Sequence, residues 1–92
     1  MRESQIEAYL VKRVKELGGE VRKIQFIGRR GAPDRLVMLP FADHAWIELK
    51  ATGKVADPHQ LREHKRLQAM GQRVVVIDSI DGVDDLLRGD LA

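Results

Sequence analysis

The sequence predicts an α/β fold in which a mixed β-sheet is flanked by helices, in the order αβββαβα. Three observations carry this. Apolar residues recur at helical spacing in two capped segments, two short apolar runs are separated by a turn, and a valine run follows the second helix. In the first helix Ile6, Leu10, Val14 and Leu17 form a stripe that Tyr9 and Val11 widen; Ser4 is the expected N-cap, with Glu7 completing a capping box, and Gly18-Gly19 ends the helix. Val21, Ile24, Phe26 and Ile27 predict a strand of mixed period, which the Gly28-Arg29-Arg30-Gly31-Ala32-Pro33 loop terminates, with Asp34 at its end. Leu36 to Leu39 is a continuous apolar run, Pro40 to His44 a turn, and Ala45 to Lys50 a further strand, so the pair is expected to be antiparallel. After a polar loop, Asp57-Pro58 has the form of an N-cap followed by proline at the first helical position, opening a helix that runs to about Met70 and ends at Gly71. Val74 to Ile77 reads as a buried strand, and Val83, Leu86 and Leu87 as a short last helix.

A chain of 92 residues supports one domain, spanning 1–92, with no internal repeat or linker. Its apolar fraction of 43% and charged fraction of 33% are those of a globular protein, and no apolar run approaches the roughly 20 residues that cross a bilayer. The N-terminal residues enter a helical pattern at once without a signal-peptide core, which predicts a cytoplasmic protein. The absence of cysteine excludes disulfides and thiolate metal sites, leaving oxygen or imidazole as metal donors. The net charge of +2 is small but unevenly spread. Arg22, Lys23, Arg29, Arg30 and Arg35 face only Asp34 in one stretch, while Asp78, Asp81, Asp84, Asp85 and Asp90 face only Arg88 in another.

Strand alternation puts Glu48 and Lys50 on one side and Ile47 and Leu49 on the other. A carboxylate and an ammonium in an apolar strand are costly to bury unless paired or coordinated. An exposed face with a local ion pair is the simpler explanation, and Glu-x-Lys alone is a weak signal. Asp34 strengthens it, because it opens the neighbouring strand and two carboxylates on adjacent strands can converge. A hard divalent cation takes oxygen ligands in octahedral geometry, so Asp34, Glu48 and the backbone carbonyl of Leu49 form a candidate set. Lys50 beside it is placed to orient a water or to stabilise charge on a phosphate.

Pro33-Asp34 followed by Glu48-Leu49-Lys50 resembles the signature of the PD-(D/E)XK nuclease superfamily. With Glu7 in the first helix, Gly31-Ala32-Pro33-Asp34 and Gln60 opening the next helix, the chain is similar to the VRR-NUC family of virus-type replication and repair nucleases, over roughly Ser4 to Ile77. The resemblance implies a restriction-endonuclease-like core and phosphodiester hydrolysis with Mg²⁺ or Mn²⁺. It makes Asp34 and Glu48 metal ligands, Lys50 the catalytic lysine, and Glu7 and Gln60 supporting members of the catalytic site. Small stand-alone members resemble Holliday-junction resolvases and act as homodimers, and others serve in DNA repair proteins. Glu7 and Gln60 have structural alternatives, since each also completes a capping box, although Glu7 shares the helix face of Leu10, Val11 and Val14.

Arg29 and Arg30 just before Asp34, and Lys54 and His59 beyond Glu48-Leu49-Lys50, are expected to contact the DNA backbone. His64 reads as a packed structural histidine and Trp46 as core. The few aromatics exclude a stacking platform for single strands. The expected function is a metal-dependent DNA endonuclease, structure-selective on branched DNA such as Holliday junctions. Flap, exonuclease or restriction-type cutting, or a DNA-binding module without catalysis, are the alternatives.

Overall fold

A computed structural model describes residues 1–89; Asp90, at the end of the acidic C-terminal stretch, lies outside them. The elements run α1 (Glu3–Glu16), β1 (Glu20–Lys23), β2 (Arg35–Leu39), β3 (Ala42–Leu49), α2 (Pro58–Ala69), β4 (Val74–Ile77) and α3 (Ile80–Leu87), the order read from the sequence. One sheet holds the strands in the order β1-β2-β3-β4, with the β1–β2 and β2–β3 pairs antiparallel and the β3–β4 pair parallel. The parallel pair needs a crossover, and α2 supplies it.

Alternation divides the sheet's two faces. Val37, Ala45, Ile47, Leu49 and Ile77 point to one side, where Ile6, Leu10 and Val14 of α1 and Val83 and Leu86 of α3 complete the core. Across the α1–α3 contact, Asp84 accepts hydrogen bonds from the Tyr9 hydroxyl at 2.7 Å and Arg13 Nη1 at 2.9 Å. The other face carries Leu36, Trp46 and Glu48 and is covered by α2, whose buried residues are Glu63, His64 and Leu67. That cover is thinner. Val76, expected in a buried strand, is 38% exposed because β4 is an edge strand that α2 leaves open on this face.

Several local expectations are corrected. The first helix begins two residues earlier than a Ser4 cap allows: Arg2 is the N-cap, and Gln5 Oε1 accepts its backbone N–H at 2.8 Å, which leaves Glu7 free of capping. The first strand is short, since after Ile24, whose N–H still donates to Asp34 O at 2.9 Å, the chain peels away from β2 and leaves Ile27 95% exposed. The turn before β3 is tighter than expected and the strand starts at Ala42. Trp46 is half-buried rather than core, with its indole N–H donating to Gln72 Oε1 at 2.8 Å and its ring edge to face with Phe26. The second helix is capped as read: Pro58 stands first, Gln60 Oε1 accepts the Asp57 N–H at 2.8 Å, and Gly71 with φ of 85° ends it.

Candidate active site

The β2–β3 register pairs Arg35 with Ile47. Asp34 immediately precedes Arg35 and Glu48 immediately follows Ile47, so the two carboxylates flank that pair at one end of the sheet, near enough for the charge of Asp34 to act on Glu48. Asp34 is half-exposed and Glu48 is 7% exposed. The Glu48 carboxylate meets Lys50 Nζ and His64 Nε2, each at 3.9 Å. Burial, and after it the charge of Asp34, push the Glu48 carboxyl up to about 7; Lys50 and Arg35 oppose the shift and Glu3 adds to it. Burial likewise pushes the His64 imidazole down, with Glu63 opposing and Lys50 adding. The buried Nε2 of that ring has no hydrogen-bond partner among the described residues, so His64 is packed, as expected, but aimed at Glu48.

Arg35 organises the rest of the site, and the sequence reading missed it. Its guanidinium pairs with the Glu7 carboxylate and with Asp34 Oδ2, the latter at 3.0 Å, with only 11% of its side chain exposed. Glu7 therefore reaches Asp34 through an intermediary cation. A charged residue opening a strand at an inward position was the available signal, since an inward arginine needs a carboxylate partner.

The Gly28–Pro33 loop seats Asp34 by packing on α2. Gly31 has φ of 79°, and a Cβ there would lie 2.9 Å from His59 O and 3.0 Å from Gln60 Cα. Gln60 is thus brought to the loop by its backbone, while its side-chain oxygen is engaged in the helix cap. Arg29 is tied to α2 as well, with Nη2 2.9 Å from Glu63 Oε1. Arg30 and Lys54 are exposed and His59 is half-buried. Glu63, which the sequence reading did not single out, is 6% exposed and is also paired with Arg66 at 2.8 Å.

The donor set fits a hard divalent cation. Around Glu48 stand the carboxylates of Asp34, Glu3 and, beyond Arg35, Glu7, against the cations Arg35 and Lys50, leaving a formal charge of minus two. No group of three or more His, Cys, Asp or Glu side chains suited to a metal occurs among the described residues. Two carboxylates with a backbone carbonyl and solvent are, however, enough for Mg²⁺, which keeps several waters.

A mixed sheet with an aspartate opening one strand and Glu-x-Lys closing the next, between helices on both faces, defines the restriction-endonuclease-like class. No family model matches the chain. A solved structure described as "VRR_NUC domain" is similar at a TM-score of 0.83 and 42% identity, covering 94% of each chain. The protein named "Putative nuclease p44", from Acyrthosiphon pisum secondary endosymbiont phage 1, is 49% identical over 81 residues, 88% of this chain and 87% of that protein. The chain belongs to the VRR-NUC family of nucleases.

Two outcomes are expected from this geometry. Gly31→Ala should destabilise the protein by about 1–3 kcal/mol in urea denaturation, because the residue is left-handed and the loop cannot approach α2. Unchanged stability would mean that the loop seats Asp34 without that contact. In metal-free buffer, Glu48→Gln should be more stable than wild type by about 1–3 kcal/mol at pH 8.5. A carboxyl raised from its ordinary value of 4.5 to about 7 destabilises the fold only when ionised, so the gap should close as pH falls from above 7 toward 4.5. Urea titrations across that range read it directly, and a gap independent of pH would remove the claim that Glu48 is strained by its surroundings.

Proposed function

We propose that the protein is a Mg²⁺- or Mn²⁺-dependent DNA endonuclease whose site is Asp34, Glu48 and Lys50. The observation that carries this is the pair of like-charged carboxylates facing each other at one end of β2 and β3, with Glu48 pushed up to about 7. Such an arrangement is unfavourable in a merely structural strand and favourable when a cation stands between the carboxylates. Membership of a nuclease family supports the same reading.

Asp34, Glu48 and the Leu49 carbonyl would hold the metal, which when bound polarises a phosphoryl oxygen and lowers the pKa of a water. The chain's own residues position the rest. Arg35 fixes Asp34 against Glu7, so the carboxylate is oriented before substrate arrives. The Lys50 ammonium, 18% exposed, stands where negative charge grows on the phosphate as water adds and the P–O bond to the leaving sugar oxygen breaks. The products are a phosphate monoester and a hydroxyl, and the water's second proton leaves to solvent.

Asp34→Ala and Glu48→Ala should each abolish cleavage of labelled duplex and branched DNA while retaining the fold, and should lose metal binding in calorimetry. Lys50→Ala should lower turnover by about 10²-fold or more and still bind metal. Substantial activity in either carboxylate variant would remove the site.

The finer reading is a homodimer acting on branched DNA. The longest dimension of the described residues is 33 Å, close to one turn of duplex at about 34 Å, so one copy suits one arm of a junction. Two copies related by a two-fold axis would set two sites on opposite strands. Sedimentation equilibrium should give twice the chain mass, and a four-way junction should be cut in pairs. A monomer that nicks strands independently would discard this architecture and leave the chemistry in place.

A further inference from the structure

Between the Gly28–Pro33 loop and α2 lies a cleft of about 290 Å³, lined by Arg29, Arg30, His59, Arg62, Glu63 and Arg66. Four guanidiniums here surround one carboxylate. Glu63 Oε1 accepts from Arg29 Nη2 at 2.9 Å and from Arg66 Nε at 2.9 Å, while Oε2 accepts from Arg66 Nη2 at 2.8 Å and from Arg29 Nε at 3.5 Å. The hydrogen bonds from Arg66 and Arg29 hold the Glu63 carboxyl down at about 2, so it stays ionised and the two guanidiniums stay in fixed orientations. Their side chains remain 45% and 42% exposed, with Nη1 of each unused among the described residues. Arg30 and Arg62, also exposed, make no ion pair or hydrogen bond among the described residues. A clamp that only fastened the loop to α2 would need one arginine and one glutamate. Arg30 and Arg62 take no part in these ties, and the cleft is left with a net charge of plus three.

We propose that this cleft is a subsite for one internal phosphodiester group of the bound DNA strand, separate from the group that is cut. The inference rests on the DNA-cleaving reading and extends it to Arg62 and Arg66, with Glu63 as the positioning residue that holds Arg29 and Arg66. A planar guanidinium fixed along one edge offers its remaining N–H groups as a fork that matches two phosphate oxygens. The arginines lie open along the surface, so the strand can pass through rather than end there. Arg30 precedes Asp34 by four residues, at most about 14 Å of extended chain, which keeps the subsite within one helical turn of the cut, about 34 Å.

The test measures binding without cleavage. Fluorescence anisotropy in EDTA follows a short duplex in which single phosphates are replaced in turn by neutral methylphosphonates. For wild type, one position or two adjacent positions should lower affinity about tenfold, as expected for a charge-assisted contact. Arg62→Ala should lose a similar factor on natural DNA and then be indifferent to the neutral linkage at that position; Arg30→Ala, an independent exposed change, should behave alike. Lys12→Ala, on exposed α1 surface, should keep the full sensitivity. Equal small losses at every position, or an Arg62→Ala variant still sensitive at the same phosphate, would overturn the subsite and leave a diffuse basic face. Dependence confined to a terminal 5′-phosphate would overturn the internal assignment. Failure to bind any duplex at low salt would remove the DNA reading itself, whereas binding without a discrete position removes only the subsite.

Discussion

The repulsion between Asp34 and Glu48 is the constraint around which the rest of the site is built. Antiparallel pairing of β2 with β3 forces both carboxylates to one face and one end of the sheet, and α2 then buries Glu48 to 7% exposure. Two neighbouring groups answer the accumulated charge without neutralising it. Lys50 stands 3.9 Å from Glu48, too far for a hydrogen bond, and Arg35 shares its guanidinium between Asp34 and Glu7. Without Glu7, Arg35 would serve Asp34 alone and the formal charge around Glu48 would fall from minus two to minus one. The partial compensation keeps the fold tolerable while leaving a surplus of negative charge, which is what the proposed cation site would need.

Holding that arrangement requires the two sheet faces to do different work. Ile47 and Leu49, between and beside the functional side chains of β3, point into the core formed with α1 and α3, and so fix the strand's rotation. A one-residue slip would turn Glu48 into that core, so register and chemistry are enforced by the same apolar residues. On the opposite face α2 packs through few residues and depends on local ties. Gly31 meets the helix backbone at His59 and Gln60, the Asp57–Gln60 box fixes its first turn, and Glu63 takes Arg29 from the loop. The same helix covers Glu48 through His64.

What the sequence made legible follows from the range of each interaction. Alternation along β3 is local, so the shared side of Glu48 and Lys50 was readable, as were the Asp57-Pro58 cap and the element order. Asp34 was readable from the loop it ends. Arg35 and Glu63 were not, because what makes them consequential is burial against partners distant in sequence: Glu7 for one, Arg29 for the other. The Ser4 cap failed for a different reason. Gln5 offers Arg2 the same reciprocal bond that Glu7 would have offered Ser4, and the start that adds helical residues prevails. Ile27 misled because an apolar residue was taken to mark a strand, whereas the loop that seats Asp34 must leave the sheet just before it.

The small net charge of +2 conceals two opposed fields set side by side. The loop from Gly28 to Asp34 joins them, carrying Arg29 and Arg30 into the basic cleft and Asp34 into the acidic site. A phosphodiester strand is attracted by the first and repelled by the second, over distances near the Debye length of about 8–10 Å at which screening is incomplete. A cation held at the acidic site as proposed would remove that repulsion, and metal and DNA would then strengthen each other's binding by the same factor, a reciprocity that holds whatever the path of communication. The loop's ties to α2, with Gly31 against the helix backbone and Arg29 paired with Glu63, hold the two fields close together. If the protein is the metal-dependent nuclease proposed above, it would select for substrate and cation together through the spacing of charges along the seven residues from Gly28 to Asp34.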